Sequence, residues 1–197
     1  GPPTASLSGT EEYNTTVNSV VAAAWSSGGN LNTARSRGTG GGTLTAGICV
    51  NGVTVNVEEY DGTSWTEQNN MPAALRDMSG FGTQTAGIYA GGSPGPDASA
   101  NVELYDGTSW SETSDLNTAR YSLTSSNNSP QTSGVVAGGY AGSNNATESW
   151  DGSSWTTRSN MGTGVVTATG AGTSSNSMMS AGGYVPPNAV TNVEEFT

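Results

Sequence analysis

The chain has 197 residues, 32% of them hydrophobic and 29 of them glycine, so its core is thin and built from small side chains and a few aromatics, which excludes a helical bundle. Five arginines, no lysine and no histidine stand against sixteen acidic side chains, and the net charge of −11 repels nucleic acid. Without histidine the chain lacks the commonest general base and the commonest transition-metal ligand, so neither an enzymatic activity nor a cofactor or metal is expected.

In chain order, Tyr13 and Trp25 open a degenerate first unit in which the insertion TTVNSVV separates the two aromatics. LNTAR follows at Leu31 to Arg35. The stretch GTGGGT at Gly38 to Thr43 is followed by no lysine and no helix, which argues against a phosphate loop and for an inner strand with little room for side chains. AGICVNG reads as a buried strand, with Cys49 as a structural thiol; a single cysteine provides neither a disulfide framework nor a thiolate metal site. NVELY, SWSET, YSLTSS and SGVVAGG then show the pattern of a whole unit: four short runs rich in β-branched or aromatic residues, separated by Gly, Asn, Asp, Pro or Ser. No apolar run reaches the length of a membrane span, so no membrane insertion is expected. The start at Gly1-Pro2, without methionine, is expected of a processed chain or of part of a longer one.

These runs recur. Tyr60, Tyr105, Trp150 and Phe196 follow at intervals of 45, 45 and 46, and Trp65, Trp110 and Trp155 keep a step of 45. Six residues beyond each tryptophan stands a large aliphatic side chain, Leu31, Met71, Leu116 or Met161. A period near 45 marks stacked units that each bury a face against a neighbour. The expected fold is all-β: a propeller of about four four-stranded antiparallel blades, with repeats at roughly 11–59, 60–104, 105–149 and 150–197 in one domain spanning 1–197, able to form part of a larger ring or oligomer.

A glycine pair closing an apolar strand, then a tyrosine, a tryptophan at a fixed distance and an arginine beyond it resembles the kelch repeat over essentially the whole chain. The finer wording, NVExYDGTSWxE with LNTAR and GGY, resembles the kelch-like tracts of virion proteins from tailed phages of marine bacteria. That resemblance implies a non-enzymatic structural or adhesive component on the virion surface or otherwise extracellular, with other virion proteins or host-surface glycans and proteins as partners and a homo-oligomer as one arrangement. The alternative is a soluble or secreted glycan-binding propeller. Galactose oxidase shares kelch repeats, but its copper site needs histidines, which are absent here.

Among individual residues, the Asp-Gly pairs at Asp61, Asp106 and Asp151 read as two-residue hairpin turns, not as calcium ligands, because equivalent turns on neighbouring blades are too far apart to converge on one ion. Arg35, Arg76 and Arg120 read as equivalent repeat positions that make a repeated structural hydrogen bond or ion pair, with the VEE glutamates as candidate partners, while Arg37 and Arg158 read as solvated. The loops GGSPGPDASA from Gly91 and GGYVPPNAV from Gly182 differ from each other, as an asymmetric recognition surface requires. Tyr140 and Tyr184, each just after a glycine pair, are the candidate ligand-stacking residues.

Overall fold

Short β-branched and aromatic runs, cut by glycine, asparagine and aspartate, form strands throughout the computed structural model, which describes residues 27–140 and 144–197. Tyr13 and Trp25 lie outside the described residues. The first sheet joins β1 (Thr39–Thr43), β2 (Ala46–Val50), β3 (Val57–Tyr60) and β4 (Trp65–Glu67) in that order. The second joins β5 (Ser79–Thr83), β6 (Ala86–Ala90), β7 (Val102–Tyr105) and β8 (Trp110–Glu112), and the third joins β9 (Thr124–Ser125), β10 (Gly134–Ala137), β11 (Thr147–Trp150) and β12 (Trp155–Thr157). In the fourth, β13 (Thr169–Ser174), β14 (Ser177–Ala181) and β17 (Val193–Phe196) pair, and the hairpin β15 (Tyr184–Val185) with β16 (Asn188–Ala189) projects from the connection between β14 and β17.

Every pairing is antiparallel, and no helix occurs among the described residues. The inner strand β1 packs on β5, β5 on β9 and β9 on β13, so the sheets are successive blades of a β-propeller with their first strands nearest the axis. Among the described residues, no comparable packing joins β13 back to β1. The GTGGGT stretch does supply an inner strand, as its glycines predict.

Each junction between blades is filled by the same set of positions. Between the first and second blades these are Val57, Met71 and Tyr105, with Trp110 packed against them; between the second and third they are Val102, Leu116, Trp150 and Trp155. Between the third and fourth, Met161 and Phe196 pack against Val135, Ala137 and Met178. A fully buried aliphatic side chain contributes about 1.5–3 kcal/mol, so the 45-residue aliphatic and aromatic markers carry most of the cohesion between blades. The tryptophans start the outer strands, where Trp65, Trp110 and Trp155 stand opposite Tyr60, Tyr105 and Trp150, with ring centroids 5.1, 4.7 and 5.2 Å apart.

A backbone stitch runs around the axis just before each inner strand. Arg37, Asp77, Ser122 and Thr167 all adopt positive φ (62°, 57°, 57° and 54°), and each of the last three donates a hydrogen bond to the blade before it: Asp77 N–H to Arg37 C=O, Ser122 N–H to Asp77 C=O and Thr167 N–H to Ser122 C=O. Non-glycine residues rarely adopt this conformation, and here one position per blade does so to satisfy a backbone donor.

Candidate functional site

The strand order divides the propeller into two faces. The β1–β2 type turns and the Asp-Gly turns lie on one face; the β2–β3 type loops and the crossings between blades lie on the other.

On the turn face the Asp-Gly motifs are hairpin turns, but their geometry corrects the sequence reading. The central residues are Gly62-Thr63, Gly107-Thr108 and Gly152-Ser153, with glycine φ of 96°, 93° and 98°, and the aspartate stands one position earlier without positive φ. Each aspartate N–H donates to the carbonyl three residues on, while its Oδ1 accepts the N–H groups of the residues two and three ahead. Those donors hold all three carboxylates below the usual aspartate range, with Asp151 brought down to about 2. The Oδ1 atom of each is committed to its own turn. Near the axis on this face, a cavity of about 740 Å³ opens between Gly40–Thr43, the β5–β6 turn at Gly82–Thr85 and Asn127–Pro130, and no charged side chain lines it.

On the loop face the glutamates of the third strands tie down the segment that enters each blade. Glu148 accepts Asn117 N–H and Nδ2 at 2.7 Å each and Arg120 Nη2 at 2.8 Å, and Arg120 Nη1 also donates to the carbonyls of Gly138 and Ala146. Glu58 repeats the arrangement with Asn32, Thr33 and Arg35. In the fourth blade Glu194 accepts the N–H groups of Gly162 and Thr163, while Val165 stands where the arginine would be. Both ion pairs are buried, so the expected arginine–glutamate pairing holds for Arg35 and Arg120.

Arg76 departs from it. Leu75 lies four residues after Met71, as Arg35 lies four after Leu31 and Arg120 four after Leu116, so Leu75 and not Arg76 holds the equivalent position. Arg76 instead anchors the loop after β6: its backbone bridges Ser93, and its Nη2 donates to Gly95 C=O at 2.6 Å. Glu103 is left without a guanidinium, and Pro72, at the position of Asn32 and Asn117, has no N–H to offer it. Glu103 is 5% exposed, its Oε2 has no hydrogen-bond partner, and burial raises its pKa, with Glu112 and Asp115 adding to the rise. Sequence reading missed this site because the AALR spelling disguised a one-residue shift. Arg37 and Arg158 are exposed, as expected of solvated side chains, and each also makes a surface contact: Arg37 an ion pair with Asp77 across the blade junction, and Arg158 a hydrogen bond from Nε to Ser149 Oγ.

The two candidate tyrosines occupy the same place in successive blades. Tyr140 exchanges backbone hydrogen bonds with Tyr121 and stacks on its ring, with centroids 5.1 Å apart and planes at 28°. Tyr184 exchanges the same backbone bonds with Val166, and both tyrosines are half-buried. No ring contact joins Tyr140 to Tyr184 among the described residues, so the fold presents two separate positions. The β14–β17 connection beyond Tyr184 exposes Pro186 to Ala189, and the β6–β7 loop exposes Pro94, Pro96 and Asp97.

The class this architecture defines is the β-propeller. The solved structure of YjhT, a propeller-type protein, is similar to it with a TM-score of 0.60 and 15% identity, covering 71% of this chain and 48% of that one, so the likeness spans about half of the YjhT chain. No protein-family model matches the chain, and no curated protein sequence matches it.

Proposed function

We propose that the chain is a kelch-like propeller serving as a non-enzymatic structural or adhesive component of a phage particle, contacting other virion proteins or the host surface through its loop face. One observation carries the reading: the charged side chains that repeat are largely spent on internal bonds, whereas the exposed residues of the loop face do not repeat. Asp61, Asp106 and Asp151 close their own turns, and Arg35, Arg120, Glu58 and Glu148 lock the blade entries. The loops at 91–101 and 182–192 have the same length but differ in sequence, and each is tied to the blade at its base by an antiparallel bridge, Arg76 with Ser93 and Val166 with Tyr184. Anchored loops of differing sequence suit recognition of a particular surface without a catalytic step. The glycine pairs before Ser93, Tyr140 and Tyr184, all at positive φ, support the kelch likeness, since that turn re-aims the chain after each second strand.

Quantitative mass spectrometry of purified particles tests the assignment, with the chain expected in fixed stoichiometry and adsorption to host cells reduced when 186–189 is replaced by Gly/Ser. Absence from particles, together with saturable glycan binding lost on Tyr184→Ala, would instead establish the glycan-binding alternative.

A further inference from the structure

The two ends of the row of blades expose complementary halves of a blade junction. On the forward face of each blade, the second and third strands present a pair of positions, apolar except at Thr147, to the next blade. Ile48 and Val57, Ile88 and Val102, and Val135 and Thr147 are all at most 3% exposed. Their equivalents in the fourth blade, Met179 and Val193, are 38% and 59% exposed. On the backward face of the first blade the matching positions are only partly covered: Tyr60 and Leu31 are half-buried, as are Phe196 and Met161 beside the cavity of the third junction, whereas Tyr105, Trp150, Met71 and Leu116 are buried.

Polar pairing makes the match specific. At the first junction Glu59 on β3 accepts a hydrogen bond from the Tyr105 hydroxyl at 2.9 Å. At the second and third junctions the corresponding pairs are Leu104 with Trp150 and Ser149 with Phe196, so a carboxylate appears only opposite a phenol. The open ends carry Glu195 on the fourth blade and Tyr60 on the first, which is the carboxylate–phenol combination again.

We infer that the fourth blade of one copy docks the first blade of a second copy head to tail, with Met179 and Val193 covered by Leu31 and Tyr60 and with the Tyr60 hydroxyl bonded to Glu195. Two copies joined at both ends complete a ring of eight blades, within the range that propellers adopt, and satisfy both open faces without a filament. A second copy is favoured over the chain's own end because neither strand packing nor a hydrogen bond joins the first blade to the fourth among the described residues. This inference does not depend on the phage reading.

Light scattering on the 197-residue chain tests it, with a particle of twice the 19.8 kDa chain mass expected at micromolar concentration and association strengthened by salt, which screens the like net charge. Val193→Asp is expected to give a folded monomer, and Tyr60→Phe to weaken association about 100- to 10,000-fold by removing one hydrogen bond to a charged acceptor at each of the two junctions. In a Cys49→Ser background, Tyr60→Cys chains mixed with Glu195→Cys chains should be joined into dimers by a short bis-maleimide whose reach matches the roughly 10 Å between packed sheets. A wild-type monomer at about 100 μM, or a Tyr60→Cys/Glu195→Cys double variant that the same reagent links only within one chain, would overturn the inference.

Discussion

Glu103 and Glu148 occupy the same position in adjacent blades, and replacing each with leucine is expected to change stability in opposite directions. Glu148 receives three donors at 2.7–2.8 Å, one of them the guanidinium of Arg120, whose side chain is fully buried. Glu148→Leu removes the counter-charge and leaves that guanidinium buried with carbonyl acceptors alone. Breaking a buried pair from one side costs about 3–5 kcal/mol. Glu103 receives no hydrogen bond among the described residues, so Glu103→Leu removes a group whose desolvation nothing there offsets, with an expected gain of about 1–3 kcal/mol. For a chain of this size, each kcal/mol moves Tm by about 2–4 °C, so Glu148→Leu should lower Tm by roughly 6–20 °C while Glu103→Leu raises it by several degrees. Urea denaturation at pH 7 with a shared m-value, together with calorimetry, measures both. Equal destabilisation by the two substitutions would refute the claim that the donors, and not the carboxylate itself, make this position favourable.

Three further outcomes follow from the same geometry. Glu103 has its folded pKa raised above the unfolded value, so the stability it contributes is complete below about pH 4.5 and is lost as pH rises through its folded pKa; Glu103→Gln should flatten that part of the stability–pH profile. Asp151 has the opposite sign: its carboxyl should titrate near pH 2 by carbon NMR, and its contribution, present above about pH 4, should fade as pH falls through that value. Gly134 lies against the Phe81 ring of the preceding blade, in direct contact with where a Cβ would stand, so Gly134→Ala should lower the urea midpoint by the equivalent of about 1–3 kcal/mol, and a joint Phe81→Leu change should recover part of it.

The repeat period made the blades readable from sequence, because a position that fills a junction must recur once per blade. Trp110, Leu116 and Trp150 could be assigned to packing before any coordinate was known, and they pack as the spacing requires. The buried pairs of Arg35 with Glu58 and Arg120 with Glu148 were also legible, since both partners recur together. Arg76 was misplaced because sequence alignment of a short motif weighs identity above offset, whereas packing depends on offset alone. The candidate tyrosines were legible as a repeated position but not as a site, because lying on one face of successive blades does not bring two rings together.

Composition, period and turn chemistry by themselves determined that this chain builds small antiparallel sheets in a row around an axis, since glycine, aspartate and alternating β-branched residues leave few other ways to satisfy the backbone. What only the tertiary structure decided is which repeated charges have partners and which faces are covered. Glu103 differs from Glu148 through the absence of an N–H at Pro72 and of a guanidinium at position 75, and Val193 differs from Val102 through the absence of a neighbouring blade. Both are properties of what lies across a junction, and a side chain's own place in the chain does not record them.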